Sequence, residues 1–172
     1  QALGDEGVAA LAANLPAALE HLDLKFGGCK KVGDEGVAAL AANLPAGLEH
    51  LYLSFEGCKE LGDEGVAALA AKLPATATLE HLDLKFSECT NIGDDGVAAL
   101  AAKLPATLQR FELHVFSTSV SDPVQRLLRD GGGVAAVREW GVRQSQRQQK
   151  AQAPSPAASA QVEEEDSDSI LQ

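Results

Sequence analysis

The sequence predicts an α/β solenoid of about four repeats, with a parallel sheet on its concave side and helices on its convex side. Three observations support this. The segment Leu19-Glu20-His21-Leu22-Asp23-Leu24-Lys25-Phe26 returns as Leu48-Glu49-His50-Leu51-Tyr52-Leu53-Ser54-Phe55 and as Leu79-Glu80-His81-Leu82-Asp83-Leu84-Lys85-Phe86. Gly4, Gly33, Gly62 and Gly93 hold the period at 29, 29 and 31 residues, the last interval carrying an extra Ala-Thr near Thr76 and Ala77. Within each unit the apolar pattern switches from a two-residue period to a helical one, so strand and helix alternate along the chain.

From Leu22 to Phe26 apolar and polar residues alternate, the pattern of a half-buried strand with Leu22, Leu24 and Phe26 pointing inward. A loop through Gly27, Gly28 and Cys29 follows, and Val32-Gly33-Asp34-Glu35-Gly36 leads into an Ala-rich helix. Val37, Leu40, Ala41 and Leu44 form its apolar face at positions i, i+3, i+4 and i+7. Asp34 is placed to cap that helix by accepting from a first-turn amide, and Pro45 helps to end it. One such unit cannot bury both its strand and its helix, so neighbours must stack.

The fourth strand, Phe111-Glu112-Leu113-His114-Val115, keeps the alternation, and Asp122-Pro123-Val124-Gln125-Arg126-Leu127-Leu128 forms a more charged last helix. Residues 1–130 therefore read as the solenoid with a C-terminal capping repeat. Gly131 to Gly133 break the chain before a terminal helix that reaches about Lys150, with Val134, Val137 and Trp140 as its apolar stripe. Residues 151–172, rich in Ala, Pro, Ser, Gln and acids, are expected to be disordered. At the other end Ala2-Leu3-Gly4-Asp5-Glu6-Gly7 is already a helix entry without its strand, so further repeats are expected before it. An uncovered edge and core there favour association.

Leu19-x-x-Leu22-x-Leu24 followed by Cys29-x-x-Val32-Gly33-Asp34-x-Gly36-Val37 resembles the leucine-rich repeat family over about residues 1 to 130. The length and full helix look like the ribonuclease-inhibitor-like type, and the Cys-to-Gly tail looks like the cysteine-containing type. The resemblance implies a protein-interaction scaffold that binds through its concave sheet. It also brings two narrower roles. Some ribonuclease-inhibitor-like proteins regulate small GTPases and carry an acidic stretch, as Glu163-Glu164-Glu165-Asp166 is here, and cysteine-containing repeats often serve substrate recognition in ubiquitin-ligase adaptors.

Charge narrows the partner class. The net charge of -11 divides into -9 over residues 1–119, +3 over 120–150 and -5 over 151–172, so the repeats are acidic and disfavour nucleic acid. No apolar run approaches the roughly 20 residues that cross a bilayer, so no membrane role is expected. Three cysteines, one per repeat at Cys29, Cys58 and Cys89, read as buried free thiols of an intracellular, cytoplasmic protein.

No nucleophile elbow, phosphate loop or Ser-His-Asp context appears, so the expectation is a protein that is not an enzyme and takes no cofactor. The His21, His50 and His81 column follows from repeat copying and lacks the spacing of a metal site, so no metal is expected. Asp5-Glu6, Asp34-Glu35, Asp63-Glu64 and Asp94-Asp95 fall at helix starts, where acids suit the helix dipole. The candidate binding face is the outward strand surface: His21, Asp23 and Lys25 on the first rung, His50, Tyr52 and Ser54 on the second, His81, Asp83 and Lys85 on the third, Arg110, Glu112 and His114 on the fourth. The partner expected there is a protein.

Overall fold

A computed structural model describes residues 3–73, 78–129 and 133–152. The elements run α1 (Asp5–Ala12), β1 (His21–Lys25), α2 (Asp34–Ala42), β2 (His50–Ser54), α3 (Asp63–Lys72), β3 (His81–Lys85), α4 (Asp94–Ala102), β4 (Arg110–His114), α5 (Asp122–Arg129) and α6 (Gly133–Gln152). The four strands form one parallel sheet in the order β1-β2-β3-β4, with helices between successive strands. Register is uninterrupted: Leu22, Leu51, Leu82 and Phe111 pair along one row, and Leu24, Leu53, Leu84 and Leu113 along another. A slip of one residue would turn these rows to solvent, so burial pins the register.

The core lies between sheet and helices. Leu51, Leu53, Leu82 and Leu84 from the strands meet Val37, Leu40, Val66, Leu69, Val97 and Leu100 from the helices, all at most 2% exposed. Phe26, Phe55 and Phe86 stack as a third row, with ring centroids 5.2 and 5.9 Å apart. Burial weakens at both ends: Leu24, Phe111 and Leu113 are only half-buried.

The aspartate that starts each of α1 to α4 does not cap its own helix, so Asp34 does not have the role that its position in the sequence suggests. Its carboxylate reaches one repeat onward, where Asp34 Oδ1 accepts from the amides of Gly62 and Gly65 at 2.8 and 2.9 Å. Asp63 Oδ1 does the same for Gly93 and Gly96 at 2.7 and 3.0 Å. Asp5 Oδ1 accepts from Gly33 and Asp94 Oδ1 from Ser121, each at 2.7 Å. The helices begin after Gly4, Gly33, Gly62 and Gly93, which bring no side-chain acceptor, so α3 and α4 take their cap from the previous repeat. The close approach also explains the next glycine: a Cβ on Gly65 would lie 2.6 Å from Asp34 Oδ1, and one on Gly96 would lie 2.5 Å from Asp63 Oδ1.

Other columns repeat this rung-to-rung bonding. Cys58 Sγ donates to the Phe26 carbonyl at 3.4 Å, and Cys89 Sγ to the Phe55 carbonyl at 3.0 Å. The Thr78 and Thr107 hydroxyls donate to the Leu48 and Leu79 carbonyls, both at 2.8 Å. All three cysteines are free; Cys58 and Cys89 are buried, while Cys29, on the first rung, is half-buried. Burial pushes the Cys58 thiol up to about 12 and the Cys89 thiol up to about 11.

At the C-terminal end the sequence placed the cap in the charged helix of the fourth repeat. Helix α5 of that repeat places Val124 in the core, and α6 also packs extensively on α4. Gly141 permits it, since a Cβ there would lie 2.6 Å from Ala101 Cβ. Val137 is buried, Val134 and Trp140 are half-buried, and Gln148 Nε2 donates to Asp95 Oδ1 at 2.6 Å. Helix α6 runs through residues 151 and 152, which the sequence assigned to the tail, and the remainder of that tail lies outside the described residues. So do Thr76, Ala77 and the glycines at 131 and 132.

Two outcomes are expected. Leu53→Ala should cost about 2 to 5 kcal/mol, the usual range for a buried leucine, whereas Glu49→Ala on the partly exposed side should cost far less. Equal shifts of the two in thermal melts would contradict the register. In the native chain at neutral pH an alkylating reagent followed by mass spectrometry should modify Cys29 first, with Cys58 and Cys89 reacting only after unfolding. Early labelling of Cys58 would contradict its burial.

Candidate functional site

The parallel register carries the polar strand positions into three rows across the concave face: His21, His50, His81 and Arg110; Asp23, Tyr52, Asp83 and Glu112; Lys25, Ser54, Lys85 and His114. Each side chain points away from the core because it alternates with a buried neighbour. A groove along the sheet is lined by members of the first two rows. The structure thus brings the candidate residues onto one side of the sheet, where all but the buried Ser54 are at least partly exposed and several interact across rungs.

In the first row the imidazoles stack. His21 and His50 have centroids 4.3 Å apart and His50 and His81 4.4 Å, nearly parallel. Identical side chains on adjacent rungs about 4.8 Å apart can face each other in this way. In the middle row Tyr52 lies between two lysines, with Lys25 Nζ 5.2 Å and Lys85 Nζ 5.3 Å from its ring centre. A hydrogen bond with Tyr52 raises the Lys85 ammonium above its ordinary range. Lys25 also pairs with Asp23 at 3.2 Å. Tyr52 is half-buried, its ring fixed on both sides by cations.

Ser54 departs from its expected place as a contact residue. It is 4% exposed, sits between Lys25 and Lys85 in the row, and its hydroxyl donates to Glu56 Oε2 at 3.4 Å. Its small side chain lies below its long neighbours, so it is not available to a partner.

The fourth rung is a charge network. Arg110 bonds Glu112, with Nε donating to Oε1 at 2.8 Å, and this hydrogen bond holds the Glu112 carboxyl below its ordinary range. His114 Nε2 lies 3.8 Å from Glu112 Oε2 and 3.9 Å from Asp83 Oδ1. Desolvation, followed by the nearby Glu112 charge, raises the Asp83 carboxyl, and its Oδ1 is buried without a hydrogen-bond donor. Two sets among the described residues bring ligand atoms within 4.8 Å of one another and could hold a metal ion: Asp83, Glu112 and His114, and His21, Glu49 and His50. Sequence spacing alone did not find them, because each joins residues of adjacent rungs.

No curated protein matches the chain. A family description, Leucine Rich repeat, matches residues 19–41, 48–70 and 77–101. Each matched segment spans a strand, its loop and most of the following helix, and the description separates neither the ribonuclease-inhibitor-like nor the cysteine-containing type. No helix among the described residues is long and apolar enough to cross a membrane. The three matched repeats, their single parallel sheet and their rung-to-rung bonding support a leucine-rich repeat fold, an α/β solenoid of about four repeats.

Proposed function

We propose that the chain is a non-enzymatic scaffold that binds a protein through the concave face, with Tyr52 as the anchor. The observation that carries this is Tyr52 held between Lys25 and Lys85 beside the groove in the sheet. A fixed aromatic ring loses little conformational freedom on binding, and it offers an apolar body with a polar tip. Asp23 and Asp83 pair with it in register and supply charge for orientation. Four rungs at roughly 4.8 Å and five residues at roughly 3.3 Å give a face of order 300 Å². Stable interfaces bury about 800 Å² per partner, so weak binding by these rungs alone is the expected behaviour.

Small-GTPase regulation and ubiquitin-ligase substrate recognition are narrower forms of this reading. Residues 163–166, which suggested the first, lie outside the described residues. Stimulated GTP hydrolysis in the presence of the chain would select it over simple scaffolding.

The concave-face reading predicts that Tyr52→Ala weakens a partner identified by pull-down about tenfold or more, with circular dichroism unchanged. Lys72→Ala and Lys103→Ala, on α3 and at the end of α4, should leave calorimetric affinity unaltered. Loss of binding in the lysine variants with full affinity in Tyr52→Ala would move the site to the convex surface.

A further inference from the structure

Helix α6 extends the helical layer beside α4, whereas the sheet stops at β4, whose outer side pairs with no strand among the described residues. The Arg110 amide donates to the Glu80 carbonyl, and the His114 carbonyl accepts from the Phe86 amide. Backbone groups alternate in direction along a strand, so those of Phe111 and Leu113 face the open edge. Beside that edge runs a cavity lined by Phe111, Leu113, Leu128 and Val134, and Phe116 next to it is 57% exposed. Unpaired backbone groups next to exposed apolar side chains are a template for another strand.

Charge identifies which strand fits. Arg110 and Glu112 stand two residues apart on the concave side of β4. If β4 meets the same strand of a second copy in antiparallel fashion, with the twofold axis at Phe111, Arg110 of each copy lies opposite Glu112 of the other. The two Phe111 residues then exchange backbone hydrogen bonds. The Arg-Glu pairs fall on the non-hydrogen-bonded positions, where facing Cα atoms are about 4.5 Å apart and side chains are closest. Moving the axis to Glu112 opposes two glutamates and sets Arg110 against His114, which loses the Arg-Glu pairs.

We infer that β4 is a self-association edge: two copies of this chain join their sheets antiparallel through β4, in the register that sets Arg110 against Glu112. The contact is isologous and closes as a dimer. It uses the end of the sheet and is independent of Tyr52.

Sedimentation equilibrium of the full chain at neutral pH and low salt tests this. The expected result is a concentration-dependent dimer that R110E and E112R each weaken about tenfold or more, because like charges then oppose at two symmetric positions. The double substitution R110E/E112R restores opposite charges and should restore the dimer. Circular dichroism checks that each variant folds, and amide exchange of the unaltered chain gives a second readout, since the Phe111 amide should slow as concentration rises. A chain that stays monomeric would overturn the inference. So would a dimer indifferent to both single substitutions, a double variant no better than the singles, or a Phe111 amide whose exchange ignores dimer formation.

Discussion

The interaction on which the solenoid depends is the aspartate carboxylate that leaves its own helix and caps the next. Asp34 and Asp63 each accept from two amides of the following repeat, one at its N-cap glycine and one in its first helical turn. Those first-turn amides have no acceptor within their own helix. An ionised acceptor makes such bonds stronger than neutral ones. Removing Asp34 would therefore uncap α3 rather than α2, and the distance between rungs is held by a bond as well as by packing. Gly65 and Gly96 complete the device by admitting the incoming carboxylate where a Cβ would collide with it.

A spacing held this tightly turns every repeated residue into a column. Phenylalanines stack in the core, cysteines donate to the preceding rung, and histidines stack on the concave face. Where one copy deviates, a local site appears. Tyr52 replaces the aspartate of its neighbours and comes to lie between the lysines of both adjacent rungs. Arg110 replaces a histidine on the last rung and is bonded to Glu112. Departures from the repeat, more than the repeat itself, give the concave surface its chemical character.

Much of this was legible in the sequence. The period located the rungs, and the alternation from Leu22 to Phe26 assigned the concave and core sides of the strands. What escaped depended on contacts between units. In sequence, an aspartate before a helix suits a cap within that helix, and only the distance between stacked rungs reveals its reach to the next. Ser54 occupies an outward position, yet it lies buried in the row between Lys25 and Lys85. Helix α6 has a sparse apolar stripe, and its packing on α4 rests on Gly141, a residue with no signal of its own.

The most direct test of the account is amide exchange of Gly62 and Gly65 in Asp34→Ala beside Glu35→Ala, which alters the adjacent exposed acid. The account predicts that both glycine amides exchange about tenfold faster or more in Asp34→Ala, with about 2 kcal/mol lost in stability, and that Glu35→Ala leaves them unchanged. Unaltered exchange at Gly62 and Gly65 in Asp34→Ala would contradict the claim that each repeat caps the next.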